Sequence, residues 1–192
     1  MRSGDLAPFG GNGGVVEADE TFFGREPGMP VRSGFNHKMK ILTLIDRDSG
    51  AARSVVIDDL KIATIAPIIN ENVAKEAALM TDEAHRFKSI GKGFASHDTV
   101  NHARDEYVRY GEPMVTTNTV ENYFSVFKRG MKGVYQHCSK KHLHRYAAEF
   151  DFRYSNRSAL GCEDQERAMR ALKGIVGKRL TYRLPDVGTA TA

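Results

Sequence analysis

The segment VVEADETFF, residues 15–23, puts Asp19 inside a strand-like run, and AALMTD, residues 77–82, ends a second apolar run on Asp82. Acidic side chains are depleted in strands, and a half-buried carboxylate needs a partner. In the first run Glu17 and Asp19 fall on one face, with Val16 and Ala18 on the other. Any fold for this chain must accommodate both carboxylates.

The rest of the pattern supplies a frame. KMKILTLIDR reads as a second strand, Asp48-Ser49-Gly50 as a turn, and ARSVVI as a third strand, giving an antiparallel meander. Ile62, Ile65, Ile69 and Val73 recur at helical spacing, with Pro67 in the first turn or at a kink. The run ending at Asp82 then follows a helix, as a parallel crossover strand does. A short helix is expected from Ala84, a fifth strand in HDTVNH, and a loop at Glu112-Pro113. From Asn118 the spacing is helical. Val120, Phe124, Phe127 and Met131 form an apolar stripe, and Asn118, Glu121, Ser125 and Lys128 form a second stripe. Two amphipathic helices follow, one carrying Leu143, Tyr146, Ala147, Phe150 and Tyr154, the other Met169, Leu172, Ile175 and Val176. The order predicts an α/β domain: a mixed five-stranded sheet with helices on both faces, over residues 15–177. Gly-rich residues 1–14 read as a disordered leader, and residues 178–192 as a frayed C-terminal tail.

Composition narrows the class. The chain has 192 residues, 41% hydrophobic and 27% charged, as in a globular domain with a sizeable core. No run approaches the roughly 20 apolar residues that cross a bilayer, and no apolar signal region opens the chain, so a cytoplasmic, nucleoid-associated setting is expected, with no membrane partner. Cys138 and Cys162 form no CxxC pair, which argues against a zinc ribbon or a disulfide framework. The net charge of +4 is unevenly placed. Residues 128–157 hold eight Lys or Arg against Glu149 and Asp151, with His137, His142 and His144 besides. A basic helical region is what a phosphate backbone requires.

In the expected topology the strands carrying Asp19 and Asp82 are neighbours. Glu121, one turn into its helix, completes a three-carboxylate cluster. Such a cluster repels itself unless cations occupy it, and oxygen-only ligands favour Mg²⁺ or Mn²⁺. Two such ions activate a water or a 3′-hydroxyl and stabilise the leaving oxygen of a phosphodiester. Lys128, two turns beyond Glu121 on the same face, is placed to hold a phosphate. Each signal alone has a plainer reading. Asp19 can pair with an arginine, Asp82 can cap the next helix, and Asn118 with Glu121 fits a capping box. Lys128 and the basic segment can be solvated surface, and His97 and His102 structural. Asp82-Glu83-Ala84-His85 matches a helicase box, but no GxxxxGK[ST] loop precedes it.

The combination is more specific. VEADETFFG, LMTDEAHRFKSIGKGFASHDTVNH and TTNTVENYFSVFKRGMKGVYQHCSKKHLHRYAAEFDFRYSNR together resemble the catalytic domain of bacterial insertion-sequence DDE-type transposases, in the branch with an Asp-Asp-Asn/Glu set. The resemblance covers roughly residues 15–160. It implies an RNase H-like fold and divalent-metal DNA transposition. By position the family's aspartates fall on Asp19 and Asp82, its Asn-x-x-Glu on Asn118 and Glu121, and its trailing lysine on Lys128. Asn118 and Glu121 both remain candidates for the third ligand, and Glu121 is preferred because a carboxylate binds Mg²⁺ more strongly. Thr116 stands where the family commonly has His, Asn122 where it has Gly, and Ser155 where it has Asn.

The resemblance implies metal-dependent cleavage and strand transfer, with Asp19, Asp82 and Glu121 holding two ions. Lys128, Arg129, Lys132 and, more weakly, Arg145 would contact DNA, and the active form is expected to be a homo-oligomer. Related full-length proteins carry an N-terminal zinc ribbon and often a helix-turn-helix region, whereas these residues open almost at the first strand. The alternatives are therefore a metal-dependent nuclease of the same fold, or a truncated, non-catalytic DNA-binding relic.

Overall fold

A computed structural model describes residues 7–31, 34–100 and 108–177. Strands β1 (Val15–Phe23), β2 (Met39–Asp46) and β3 (Ala52–Ile57) form the expected meander. Helix α1 (Ile62–Asn72) crosses over to β4 (Ala78–Asp82), and α2 (His85–Gly91) leads to β5 (Ser96–Val100). The sheet order is β3-β2-β1-β4-β5. β1 is antiparallel to β2 and parallel to β4, which is parallel to β5. An antiparallel meander extended by two parallel crossover strands is the RNase H-like fold.

The alternation in β1 divides the molecule. Val16 and Ala18 join Leu42, Leu44 and Leu79 in a core sealed by Ile65 and Ile69 of α1 and Phe87 and Ile90 of α2. On the opposite face Phe23, Ile41 and Ile45 pack against α3 (Asn118–Gly130) and α4 (Lys140–Ser155). Val120, Phe124, Phe127 and Met131, the stripe read from sequence, are all buried there, with Leu143, Ala147 and Phe150 of α4. Gly130 allows the close approach of the two helices, because a Cβ at that position would collide with the Phe150 ring.

This second core holds a polar centre that hydrophobic patterning does not reveal. Asp151 of α4 accepts hydrogen bonds from the Ser54 backbone N–H (2.8 Å), the Ser54 hydroxyl (2.6 Å) and the Tyr123 hydroxyl (2.7 Å). Thr43 Oγ1 lies 2.9 Å from Ser54 Oγ. One buried carboxylate thus ties α3 and α4 to β2 and β3. Ser155 receives the Ala52 backbone N–H at 2.9 Å, so serine at this position still bonds the sheet.

Two expectations are corrected. The Gly-rich leader is ordered from Phe9 to Gly14. Phe9 is 9% exposed, exchanges backbone bonds with Asn72 and Ala74, and lies under the Arg53 guanidinium, while Gly10 takes a φ of 72°. The loop expected at Glu112-Pro113 is present, as the tip of a small ribbon of β6 (Val108–Arg109) with β7 (Val115–Thr116). The last helix, α5 (Asp164–Lys173), buries none of its residues, and Met169 and Leu172 stay exposed. Ile175 and Val176 lie past its end. Residues 1–6, residues 178–192 and His102 lie outside the described residues.

Replacing Asp151 by Ala strands three buried donors. Each unsatisfied buried group costs roughly 1–3 kcal/mol, so urea unfolding of Asp151→Ala should show a stability loss above about 2 kcal/mol. A loss below about 0.5 kcal/mol would mean that this network does not hold the helices to the sheet.

Candidate active site

The site begins where β4 stops. Pairing of β1 with β4 ends at Ala18↔Thr81, and β1 continues five residues further to Phe23. Beyond Ala18 no described residue pairs with β1 on that side, and side chains from both of its faces line one groove. Asp19 is the first residue past the last pair, and Asp82 ends β4 beside it. Asp82 Oδ1 accepts the Ala84 backbone N–H at 3.0 Å and so shapes the turn into α2. The N-cap of α2 is Ala84, with no side-chain cap bond, so Asp82 shapes the turn without capping the helix, and it acts on Asp19.

α3 brings the third carboxylate, and its position is set from β1. Glu17, fully buried, accepts the Val120 backbone N–H at 2.9 Å and Arg47 Nε at 2.7 Å. The first amides of a helix have no intrahelical acceptor, and a carboxylate there also suits the helix dipole. Arg47 extends the clamp by donating to the carbonyls of Met114 (2.6 Å) and Thr116 (2.7 Å). Thr117, not Asn118, is the N-cap residue of α3, and its side chain makes no cap bond to the backbone. Its hydroxyl donates to Glu121 Oε1 at 3.3 Å. The capping-box geometry expected for Asn118 and Glu121 is therefore replaced by a cap supplied from β1.

Asp19, Glu121, Ser125 and Lys128 line one groove of about 470 Å³, with Glu20, Phe22, Phe35, Lys38 and Phe124. One carboxylate oxygen from each of Asp19, Glu20 and Asp82 lies within 4.8 Å of the others. Burial, then the charges of Asp82 and Glu121, push the Asp19 carboxyl well above its ordinary value, against the pull of Arg86 and Lys128. Burial lowers the Lys128 ammonium, with Asp19 opposing and Lys132 and Lys38 adding repulsion. Glu20 is ion-paired with Arg86, yet its buried Oε2 has no hydrogen-bond partner among the described residues.

An all-oxygen donor set of mutually repelling carboxylates, one of them with an orphaned buried oxygen, fits a hard divalent cation.

The other sequence candidates are placed differently. Asn118 is exposed and lines a separate groove with Asn122, Arg153, Tyr154 and Arg157. Its α3 position turns it away from the groove that takes Glu121. Arg129 is exposed and donates to Ser125 Oγ at 3.4 Å. Lys132 is exposed in the π-helical turn after α3, close enough to Lys128 to depress its pKa. Arg145 is exposed on α4 and does not line the groove. His97 bonds Thr81 through Nε2 at 2.9 Å and sits against Gly91, a structural role. Sequence reasoning missed Glu20, Arg86 and Lys38. By strand parity Glu20 falls on the face of Val16 and Ala18, and the signal that could have recruited it is the shortness of the Asp82 run.

The model of the ISXO2-like transposase domain matches residues 12–155. An uncharacterized transposase-like protein of Haemophilus influenzae is 25% identical over 103 residues, covering 54% of this chain and 80% of that protein. Among solved structures, the catalytic core domain of BIV integrase aligns with TM-score 0.46 and 16% identity, over 74% of this chain and 83% of that one. The HTLV-2 integrase catalytic core domain in complex with magnesium aligns with TM-score 0.46 and 12% identity, over 73% and 84%.

Because the folded state raises the Asp19 pKa, the folded protein holds that proton more firmly than the unfolded chain does. The associated stability is present at low pH and is lost as pH rises through the folded value. In the absence of divalent metal, Asp19→Asn should therefore melt above wild type at neutral pH, with the gap closing as the pH is lowered. Thermal melts in EDTA across pH check this, and a variant melting below wild type at neutral pH would contradict it.

Proposed function

The chain belongs to the ISXO2-like transposase domain family and is a DDE-type transposase catalytic domain, and we propose that it cleaves DNA at element ends and joins the freed strand to target DNA, using Asp19, Asp82 and Glu121. The observation that carries this reading is that Asp82 of β4 and Glu121 of α3 both press on the buried Asp19 carboxyl of β1, which lines a groove with Glu121, Lys38 and Lys128. Asp19, Asp82 and Glu121 would hold two Mg²⁺ or Mn²⁺ ions, with Glu20 beside them. Such ions, when bound, neutralise charge developing on the phosphoryl group and make water or a 3′-hydroxyl a competent nucleophile.

The chain's own residues do the positioning. Lys128, held in the groove by burial on α3, takes a non-bridging phosphate oxygen near the carboxylates. Lys38 faces it across the groove, so the backbone lies between two ammonium groups. Arg86 holds Glu20 against the open edge of β1. Arg129 and Lys132 extend the basic track along and beyond α3, with Arg145 a more distant contact. In nicking, water replaces the bridging 3′-oxygen at phosphorus, leaving a 3′-hydroxyl and a 5′-phosphate. In joining, that 3′-hydroxyl attacks a target phosphodiester in line, a new P–O bond forms, and the target's own 3′-oxygen leaves with a proton. Joining two ends calls for at least two copies of the chain. Among the described residues no helix is long and apolar enough to cross a membrane.

Incubation of the chain with labelled DNA and Mn²⁺ is expected to give nicked and joined products that Asp82→Ala abolishes. Cleavage without joining would indicate a nuclease, and products that persist in Asp82→Ala would remove this carboxylate set from catalysis. Lys128→Ala should weaken DNA binding across sequences and reduce the slope of log K against log salt by about one. An unchanged slope would take Lys128 out of the phosphate track.

A further inference from the structure

Phe35 is 54% exposed, on the loop between β1 and β2. It stacks on Phe22 with centroids 4.4 Å apart and planes 14° from parallel. The Lys38 ammonium lies 5.3 Å from its ring centroid, and both phenylalanines line the groove that contains Asp19, Glu121 and Lys128. If Phe35 served only to cover Phe22, its ring would be largely buried against that neighbour. Instead one ring face is braced by Phe22, and the residue as a whole stays more than half exposed. The preceding residue, Gly34, takes a φ of 88°, a backbone conformation that other residues rarely adopt.

A braced aromatic face beside an ammonium group, in a groove flanked by two lysines, has the features of a single-strand binding platform. Aromatic rings stack on any base, because every base has a π-face, while neighbouring cations take the backbone. Within a duplex the bases are stacked on one another and offer no free face, so such a platform selects a nucleotide that has left the helix.

We propose that Phe35, braced by Phe22, stacks an unpaired base of the DNA strand end held in the active-site groove. This rests on the DNA-processing reading of the groove and adds to it a preference for a frayed or single-stranded end. Phe35 then acts as a positioning residue: it fixes the rotation of the terminal nucleotide, and Lys38 holds the adjoining phosphate.

The experiment compares three oligonucleotide probes bound to the full chain without divalent metal. One duplex is blunt, one carries a three-nucleotide extension, and one carries an extension of the same length made of abasic nucleotides. The last two have equal charge, so their affinity ratio reads base stacking alone. For wild type the ratio should be roughly 5- to 100-fold in favour of the extension with bases. Phe35→Ala should bring it close to one, and Phe35→Tyr should keep it. A wild-type ratio of one, or an undiminished ratio in Phe35→Ala, overturns the proposal. Lys128→Ala, measured beside them, separates the two failures. Binding that depends on Lys128 but lacks any base preference refutes the Phe35 platform alone, whereas binding indifferent to Lys128 refutes the groove's role in DNA binding and the platform with it.

Discussion

The buried carboxylate of Glu17 is the interaction on which the arrangement of the site depends. It joins β1 to the N-terminus of α3 across 103 residues of sequence and pairs with Arg47, which in turn bonds the carbonyls of Met114 and Thr116. A buried ion pair contributes little net stability, because desolvation offsets the Coulomb gain, but it tolerates few alternative arrangements. Here what it specifies is the position of α3 along β1. Two residues along the same strand face comes Asp19, and the residue after Val120 in the helix is Glu121. Further along, the Phe23 and Phe127 rings meet edge to face at 5.9 Å, so helix and strand run together in the same sense. The carboxylate that anchors the helix thus also determines where the proposed third ligand stands.

The second constraint is the unequal length of β1 and β4. Had β4 continued in register, Glu20 and Phe22 would lie on the face opposite Asp19, under α2. Because β4 ends at Asp82, the edge of β1 opens, and Asp19, Glu20 and Asp82 come within 4.8 Å. The proposed metal chemistry needs carboxylates from separate elements at one place, and the end of β4 brings them together. The same opening makes room for the stacked Phe22 and Phe35.

Most of the frame was legible in the sequence. The alternation Val16, Ala18 against Glu17, Asp19 correctly divides the two cores, and the four-residue apolar stripe of α3 is buried as its spacing requires. These are local periodicities, with a direct relation to which side faces in. Asp19, Asp82 and Glu121 could be nominated because a carboxylate in or beside an apolar element is unusual. The remainder was illegible for one reason: it depends on where elements end and on contacts across long separations. The role of Glu17 needs Val120 as its partner. Glu20 needs β4 to stop. Asn118 shares a helical stripe with Glu121 by spacing, yet the start of α3 turns it to another groove. Phe9 is ordered because Asn72 and Ala74 bond its backbone, which a Gly-rich composition cannot show. The last helix carries an amphipathic pattern, yet Met169 and Leu172 stay more than half exposed, so periodicity there indicated helix but not burial.

Anchor and cluster also pull in opposite energetic directions, and their proximity follows from that. The carboxylates of Asp82 and Glu121 repel that of Asp19, with Arg86 and Lys128 giving partial relief. A helix free to shift would relax this repulsion by carrying Glu121 away, and the spacing of the carboxylates proposed to hold a cation would be lost. The Glu17 clamp, one strand position pair from Asp19, blocks that relaxation at its shortest lever arm. The Asp151 network blocks it again on the far side of α3, through the Tyr123 hydroxyl. Both hold the helix with buried charge-assisted hydrogen bonds, which depend steeply on distance and direction. A purely apolar contact would permit sliding, since packing alone discriminates weakly between neighbouring positions of similar side chains. The fold therefore keeps its carboxylates preorganised at the expense of their mutual repulsion, the condition under which a bound cation gains most from the site.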